Sequence, residues 1–138
     1  MTHNAIVKFT EGLAFDADVD DIHFEVDADP EFGGKERGPR PKKLLLAALA
    51  GCTGMDVVSI LNKMRMPFDE FTMEVEGDMN EEDPKVYTAF RLKYIFRGAE
   101  LDKAKIEKAI NLSQNRYCAV SAMFRTFATV DTELILNP

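Results

Sequence analysis

Residues 42–63 carry more apolar surface than a short chain can hide. Within Lys42–Lys63 the run Leu44-Leu45-Leu46-Ala47-Ala48-Leu49-Ala50-Gly51-Cys52 shows no strand-like alternation and no Gly-Pro break. That pattern predicts a helix apolar on nearly every side, and such a helix is buried all round rather than laid on a surface. A chain of 138 residues has too little remaining surface to enclose it alone. The helix is therefore expected at the centre of the fold, covered by sheet and by a second subunit. Pro41 suits its first position, and Asn62, Lys63 and Arg65 before Met66-Pro67 mark its end, with cations at the negative pole of the helix dipole.

The flanking segments alternate. Ala5–Phe9, Leu13–Phe15 and Ile22–Val26 predict three short antiparallel strands, with turns at Glu11-Gly12 and at Asp18, Asp20 and Asp21. Residues 28–41, punctuated by Gly and Pro, form a loop. After the helix, Phe71, Met73 and Val75 predict one strand, and residues 85–97 a longer one. Val86, Phe90, Leu92, Tyr94 and Phe96 share one face of that long strand. Asp102 caps a short helix with Ile106, Ala109 and Ile110 inward, broken at Ser113-Gln114-Asn115. A last helix runs from near Cys118 to near Ala128, and Val130, Leu134 and Leu136 belong to a closing strand. The order βββ-α-ββ-α-α-β, with strands clustered in hairpins, reads as α+β with antiparallel sheets around a central helix, in one domain spanning residues 1–138.

Composition narrows the function. A net charge of −7 argues against nucleic acid, whose phosphates demand a basic surface. No uninterrupted apolar run approaches the ~20 residues that span a bilayer, and the first residues show no secretory leader, so no membrane partner is expected. The 2 cysteines do not make a disulfide scaffold. A cytoplasmic protein with reduced thiols is expected, in which a disulfide is transient and catalytic rather than structural. Without a His-x-x-x-His or Cys-x-x-Cys pair, no zinc site is expected, and no nucleotide-binding fingerprint calls for a cofactor.

The cysteines themselves admit two readings. Cys52 lies inside the apolar helix, where a free cysteine is commonly a small core residue, and Asp56 one turn later disfavours its thiolate. Cys118 stands where a helix begins, near Arg116, a setting that favours a thiolate. Its alternative is a plain core contact. The loop before the central helix carries Lys35, Arg37, Arg40, Lys42 and Lys43, a cluster of cations in an acidic chain. These are either solvated charges offset by acids such as Asp18, Asp20 and Asp21, or a source of an arginine for a thiolate.

The segments Gly38-Pro39-Arg40-Pro41, Leu44 to Val58 with its Cys52-Thr53-x-x-Asp56-Val57-Val58 stretch, and Tyr117-Cys118-Ala119-Val120-Ser121 resemble the OsmC/Ohr family of osmotically inducible and organic-hydroperoxide-resistance proteins. The order of elements matches as well. The resemblance implies an intertwined homodimer whose two sheets wrap paired central helices, with sites at the subunit interface. It implies a peroxidase of oxidative-stress defence in which Cys52 is peroxidatic and Cys118 resolves, regenerated by an external dithiol reductant and needing no cofactor or metal. Family members pair a glutamate after the helix-starting proline with an arginine early in the N-terminal sheet. Here Lys42 and Lys43 occupy the first position and no arginine precedes Arg37. Arg37 or Arg40, with Glu36, is expected to substitute. The competing class is a non-catalytic dimer, either a small-ligand binder or a redox sensor.

Overall fold

Alternating segments at the N-terminus pair into a small antiparallel sheet. β1 (Ile6–Phe9), β2 (Phe15–Val19) and β3 (Ile22–Val26) lie in the order β1-β2-β3. Asp20 and Asp21 join β2 to β3 at φ of 54° and 62°. Two consecutive positive φ values are what a tight primed turn requires, and Asp tolerates them. The computed structural model describes all 138 residues, which divide into two units, Met1–Leu45 and Leu46–Pro138.

In the first unit the apolar side chains of the sheet are largely uncovered. Ile6, Val7, Phe9, Ile22 and Phe24 are exposed, and of the Ile22-Phe24-Val26 face only Val26 is buried. The loop after β3 is organised by Asp27, whose buried carboxylate accepts the backbone N–H groups of Ala28 (2.8 Å), Lys35 (2.9 Å) and Arg37 (3.3 Å). Those bonds, led by the one from Lys35, hold its pKa below the ordinary carboxylate value.

In the second unit a mixed sheet receives the long helix. α1 spans Pro41–Lys63 and begins at the proline, as its missing N–H allows. β4 (Glu70–Met79) and β5 (Tyr87–Arg97) form the expected hairpin, with Val75 opposite Leu92 and Phe71 opposite Phe96. The long strand starts at Tyr87, so Val86 is an exposed loop residue rather than part of the inner face. α2 (Lys103–Leu112) is capped by Asp102, whose side chain accepts from Lys105 N at 3.2 Å, and it buries Ile106, Ala109 and Ile110. Ser113–Tyr117 forms a π-helical turn where a break was expected. α3 is shorter than its pattern suggested, Ala119–Phe124.

β6 (Thr129–Leu136) runs parallel to β5, with Phe90 opposite Val130 and Tyr94 opposite Leu134. This corrects the expectation of purely antiparallel sheets within an α+β fold that otherwise has the expected order. A parallel neighbour needs a crossover connection, usually helical, because a hairpin can join only antiparallel strands. Here α2 and α3 are that crossover.

The core joins one stripe of α1 to this sheet. Leu49, Val57 and Leu61 are fully buried against Phe90, Leu92, Tyr94, Phe96, Ile106 and Phe124. Each such aliphatic side chain stabilises the fold by about 1.5–3 kcal/mol. Phe71 stacks on Phe96 at 4.2 Å between centroids. Gly77 is required because a Cβ there would meet the Tyr87 ring at 2.8 Å and Leu46 at 3.0 Å.

α1 is not enclosed within one chain. It buries only Leu49, Ala50, Thr53, Gly54, Val57 and Leu61. Its most apolar 18-residue window has mean hydropathy 2.0, and 28% of that window is buried. By length and composition alone it meets the requirements of a membrane-spanning helix. No uninterrupted apolar run reaches that length, because Thr53, Asp56 and Ser59 punctuate it, yet the window average stays apolar.

Candidate functional site

One face of α1 supplies half of the site. Cys52 and Asp56 are four residues apart, so their side chains stack one turn above the other. The other half comes from the junction of the π-helical turn and α3. Cys118 is the N-cap of α3; its N–H is held by the Ser113 carbonyl (2.8 Å), and its Sγ accepts the Ser121 N–H (3.4 Å). The two sulfurs and an Asp56 carboxylate oxygen lie within 4.8 Å of one another. Both cysteines are reduced; Cys118 is buried and Cys52 half-buried.

Burial is the main reason that the Cys52 pKa is raised above its ordinary value. The Val120 N–H opposes it, while hydrogen bonding to Cys118 and the charges of Cys118 and Asp56 push further upward. No cation is among these influences. Accordingly, Cys52 is expected to alkylate more slowly near neutral pH than an exposed cysteine, with a rate that keeps rising above pH 9. Asp56→Asn removes a neighbouring negative charge and should shift that profile to lower pH. A rate-pH profile that Asp56→Asn leaves in place would show that the carboxylate does not act on the sulfur.

Beneath the sulfurs lies a polar network that pattern reading did not reveal. Thr53 Oγ1 meets Tyr94 OH at 2.6 Å and Ser113 Oγ at 2.8 Å. Ser113 Oγ donates to Asp56 Oδ2 at 3.0 Å. Gln114 Nε2 donates to Thr53 Oγ1 (3.0 Å), Tyr94 OH (3.2 Å) and Ser121 Oγ (3.1 Å). Arg125 donates from Nη1 to the Gln114 carbonyl and from Nη2 to Gln114 Oε1, both at 2.8 Å. Burial pushes the Tyr94 pKa up to about 12, so its hydroxyl stays a donor. The only sequence signals for this network were single polar residues, Thr53 and Tyr94, inside apolar patterns.

The loop arginines are engaged within the first unit. Arg37 Nη2 pairs with Glu11 Oε1 at 2.9 Å. Arg40 Nη2 pairs with Glu36 Oε1 at 2.6 Å, and its Nε lies 3.9 Å from Asp29. The acids that offset Arg37 and Arg40 are Glu11, Glu36 and Asp29. Arg40 Nε is buried without a hydrogen-bond partner. Arg116 is exposed and lies over the Tyr117 ring, 5.4 Å from its centroid.

Two hollows adjoin the helix. The larger, about 740 Å³, is apolar, lined by Ala50, Gly54, Met55, Val58, Phe71 and Met73 among others, and includes neither cysteine. The smaller, about 410 Å³, is bounded by Asp56, Ser59, Ile60, Lys63, Leu112 and Tyr117 and opens on the carboxylate side of the thiol pair.

Residues 32–133 match the family model described as OsmC-like protein. The chain belongs to the OsmC-like family. Protein YhfA of Escherichia coli K12 is 34% identical over 119 residues, 86% of this chain and 87% of its own length. The fold of this OsmC-like chain matches that of a hypothetical protein from Aquifex aeolicus VF5 with a TM-score of 0.85 at 24% identity, over 100% of this chain and 99% of that one. It also matches an organic hydroperoxide resistance protein OsmC from Legionella pneumophila, with a TM-score of 0.68 at 18% identity and coverage of 100% and 99%.

Proposed function

We propose that this OsmC-like protein is a thiol peroxidase that reduces organic hydroperoxides in oxidative-stress defence. The observation that carries this reading is the reduced pair Cys52 and Cys118, sulfurs within 4.8 Å, drawn from two separate helical elements. Family membership adds support, since structural relatives include organic hydroperoxide resistance proteins. The Cys52 thiolate attacks the hydroperoxide O–O bond; the alkoxide leaves and takes up a proton as an alcohol, and Cys52 becomes a sulfenic acid. The Cys118 thiol then displaces water from that sulfenic acid, forming the disulfide. An external dithiol reduces it by exchange and is itself oxidised. The sulfurs need only close from within 4.8 Å to the ~2.05 Å of a disulfide bond.

The arginine role falls in this proposal to Arg37 or Arg40. Arg40 is the stronger candidate, because its ion pair with Glu36 reproduces the Arg–Glu partnership and its Nε has no hydrogen-bond partner. The protein is proposed to act as a homodimer. The uncovered apolar side of α1 and the exposed Ile6, Val7, Phe9, Ile22 and Phe24 support a partner subunit on these surfaces.

The test is mass spectrometry of reduced protein treated with one equivalent of an organic hydroperoxide. Loss of two hydrogens and a Cys52–Cys118 cross-linked peptide are expected, followed by multiple turnovers with a dithiol. A second reading, redox sensing, is favoured by the raised Cys52 pKa. It gives the same disulfide without turnover. No disulfide at all would remove both.

A further inference from the structure

We propose that Cys52, Asp56 and Cys118 together form a three-ligand site for a thiophilic divalent cation of the zinc(II) class, whose occupancy holds the thiol pair unreactive. The sequence expectation of no zinc site rested on the lack of a local ligand pair; this ligand set is assembled by the fold. Two donors come from successive turns of α1 and the third from the N-cap of α3.

The donor geometry suits such an ion. All three ligand atoms lie within 4.8 Å of one another. A tetrahedral zinc with Zn–S of ~2.3 Å and Zn–O of ~2.0–2.2 Å holds two sulfurs ~3.8 Å apart and sulfur and oxygen ~3.5 Å apart. Side-chain movements of ~1 Å complete the site, within the reach of small rotamer adjustments. Two sulfurs and one oxygen select a soft or borderline cation over magnesium or calcium. Three protein ligands leave one coordination position for water.

The surroundings support the donors. Ser113 Oγ donates to Asp56 Oδ2 at 3.0 Å and is anchored by Thr53 at 2.8 Å, with Ser113 and Thr53 both fully buried. Ligating carboxylates are oriented in this way by a second layer of hydrogen bonds. Cys118 is held by the backbone bond of its N–H to the Ser113 carbonyl, 2.8 Å. Within Leu46–Pro138 no lysine or arginine forms an ion pair with Asp56. A dication offsets the negative charge of two thiolates held beside a carboxylate, which would otherwise repel one another. Half-exposed Cys52 and Asp56 leave a path for the ion.

Binding converts two thiols and a carboxylate into two metal thiolates and a carboxylate, releasing two protons. The sulfur lone pairs that would attack an electrophile are then engaged by the metal. Metal occupancy is read without hydroperoxide, so its failure is distinct from failure of the peroxidase reading.

The test is a titration of reduced, metal-free, full-length protein with cobalt(II) under anaerobic conditions. A single equivalent should produce intense thiolate-to-cobalt charge transfer, of a strength indicating two thiolates, together with tetrahedral visible bands; one equivalent of zinc should displace it. Cys52→Ser and Cys118→Ser should each halve the charge-transfer intensity, and Asp56→Asn should weaken affinity ~10-fold or more. Zinc-loaded protein should alkylate at least ~10-fold more slowly than metal-free protein. Absence of charge transfer in the wild type would overturn the site. So would full intensity in either serine variant, or unchanged affinity in Asp56→Asn. The wild-type spectrum alone decides if a variant fails to fold.

Discussion

Cys118→Ser is expected to stop hydroperoxide turnover after one equivalent and to leave Cys52 as a sulfenic acid that a 1,3-dione probe captures. Cys52→Ser should lower the rate by roughly 10³-fold or more, because the one thiol left in the site, Cys118, is buried. The asymmetry follows from the proposed roles. Cys118 acts only once an oxidised partner exists, and its sulfur is buried and occupied as the N-cap acceptor of Ser121 N–H at 3.4 Å. Half-buried Cys52 is the sulfur that substrate reaches first. Mass spectrometry of the trapped adduct, with oxygen-consuming side reactions excluded by anaerobic handling, checks both halves. A sulfenic acid on Cys118 in the Cys52→Ser protein, with turnover retained, would reverse the assignment.

Gln114→Leu should lower stability by about 3 kcal/mol, read as a lower urea midpoint at unchanged slope. Leucine fills a similar volume but makes none of the hydrogen bonds. Gln114 Nε2 serves Thr53, Tyr94 and Ser121, and its Oε1 accepts from Arg125 at 2.8 Å. Removing it leaves the buried Ser121 hydroxyl without its Gln114 donor and takes a bond from each of the buried Thr53 and Tyr94 hydroxyls, and a buried polar group left unpaired costs its desolvation. Tyr94→Phe removes a single hydroxyl from the same network and should cost about 1 kcal/mol. Equal effects from the two substitutions would mean that Gln114 is not the hub. Because Gln114 sits in the turn that delivers Cys118, the leucine variant should also form the Cys52–Cys118 disulfide more slowly.

The legible parts of the chain are those governed by local rules. Pro41 and Lys63 bound α1 because a ring without an N–H belongs at a helix start and a cation at its end. Asp102 caps α2, and Asp20 with Asp21 turns the second hairpin, each through the short polar side chain that those positions demand. The reading failed where direction or register depends on distant chain. The parallel course of β6 goes with the helical crossover before it, and nothing in its own residues marks the direction. Ser113-Gln114-Asn115 predicts a break, yet Ser113–Tyr117 forms a π-helical turn, held by the buried side-chain hydrogen bonds of Ser113 and Gln114.

The sequence by itself determined the element order, the α+β class and an apolar helix too large for its own chain to cover, since periodicity and capping act over a few residues. It also singled out two cysteines, related to one another only through the family resemblance. Only the tertiary structure decided that Cys52, Asp56 and Cys118 converge within 4.8 Å above a buried polar network. That convergence arises from packing the π-helical turn and α3 near one turn of α1. Contacts between residues remote in the chain have no period and leave no local mark.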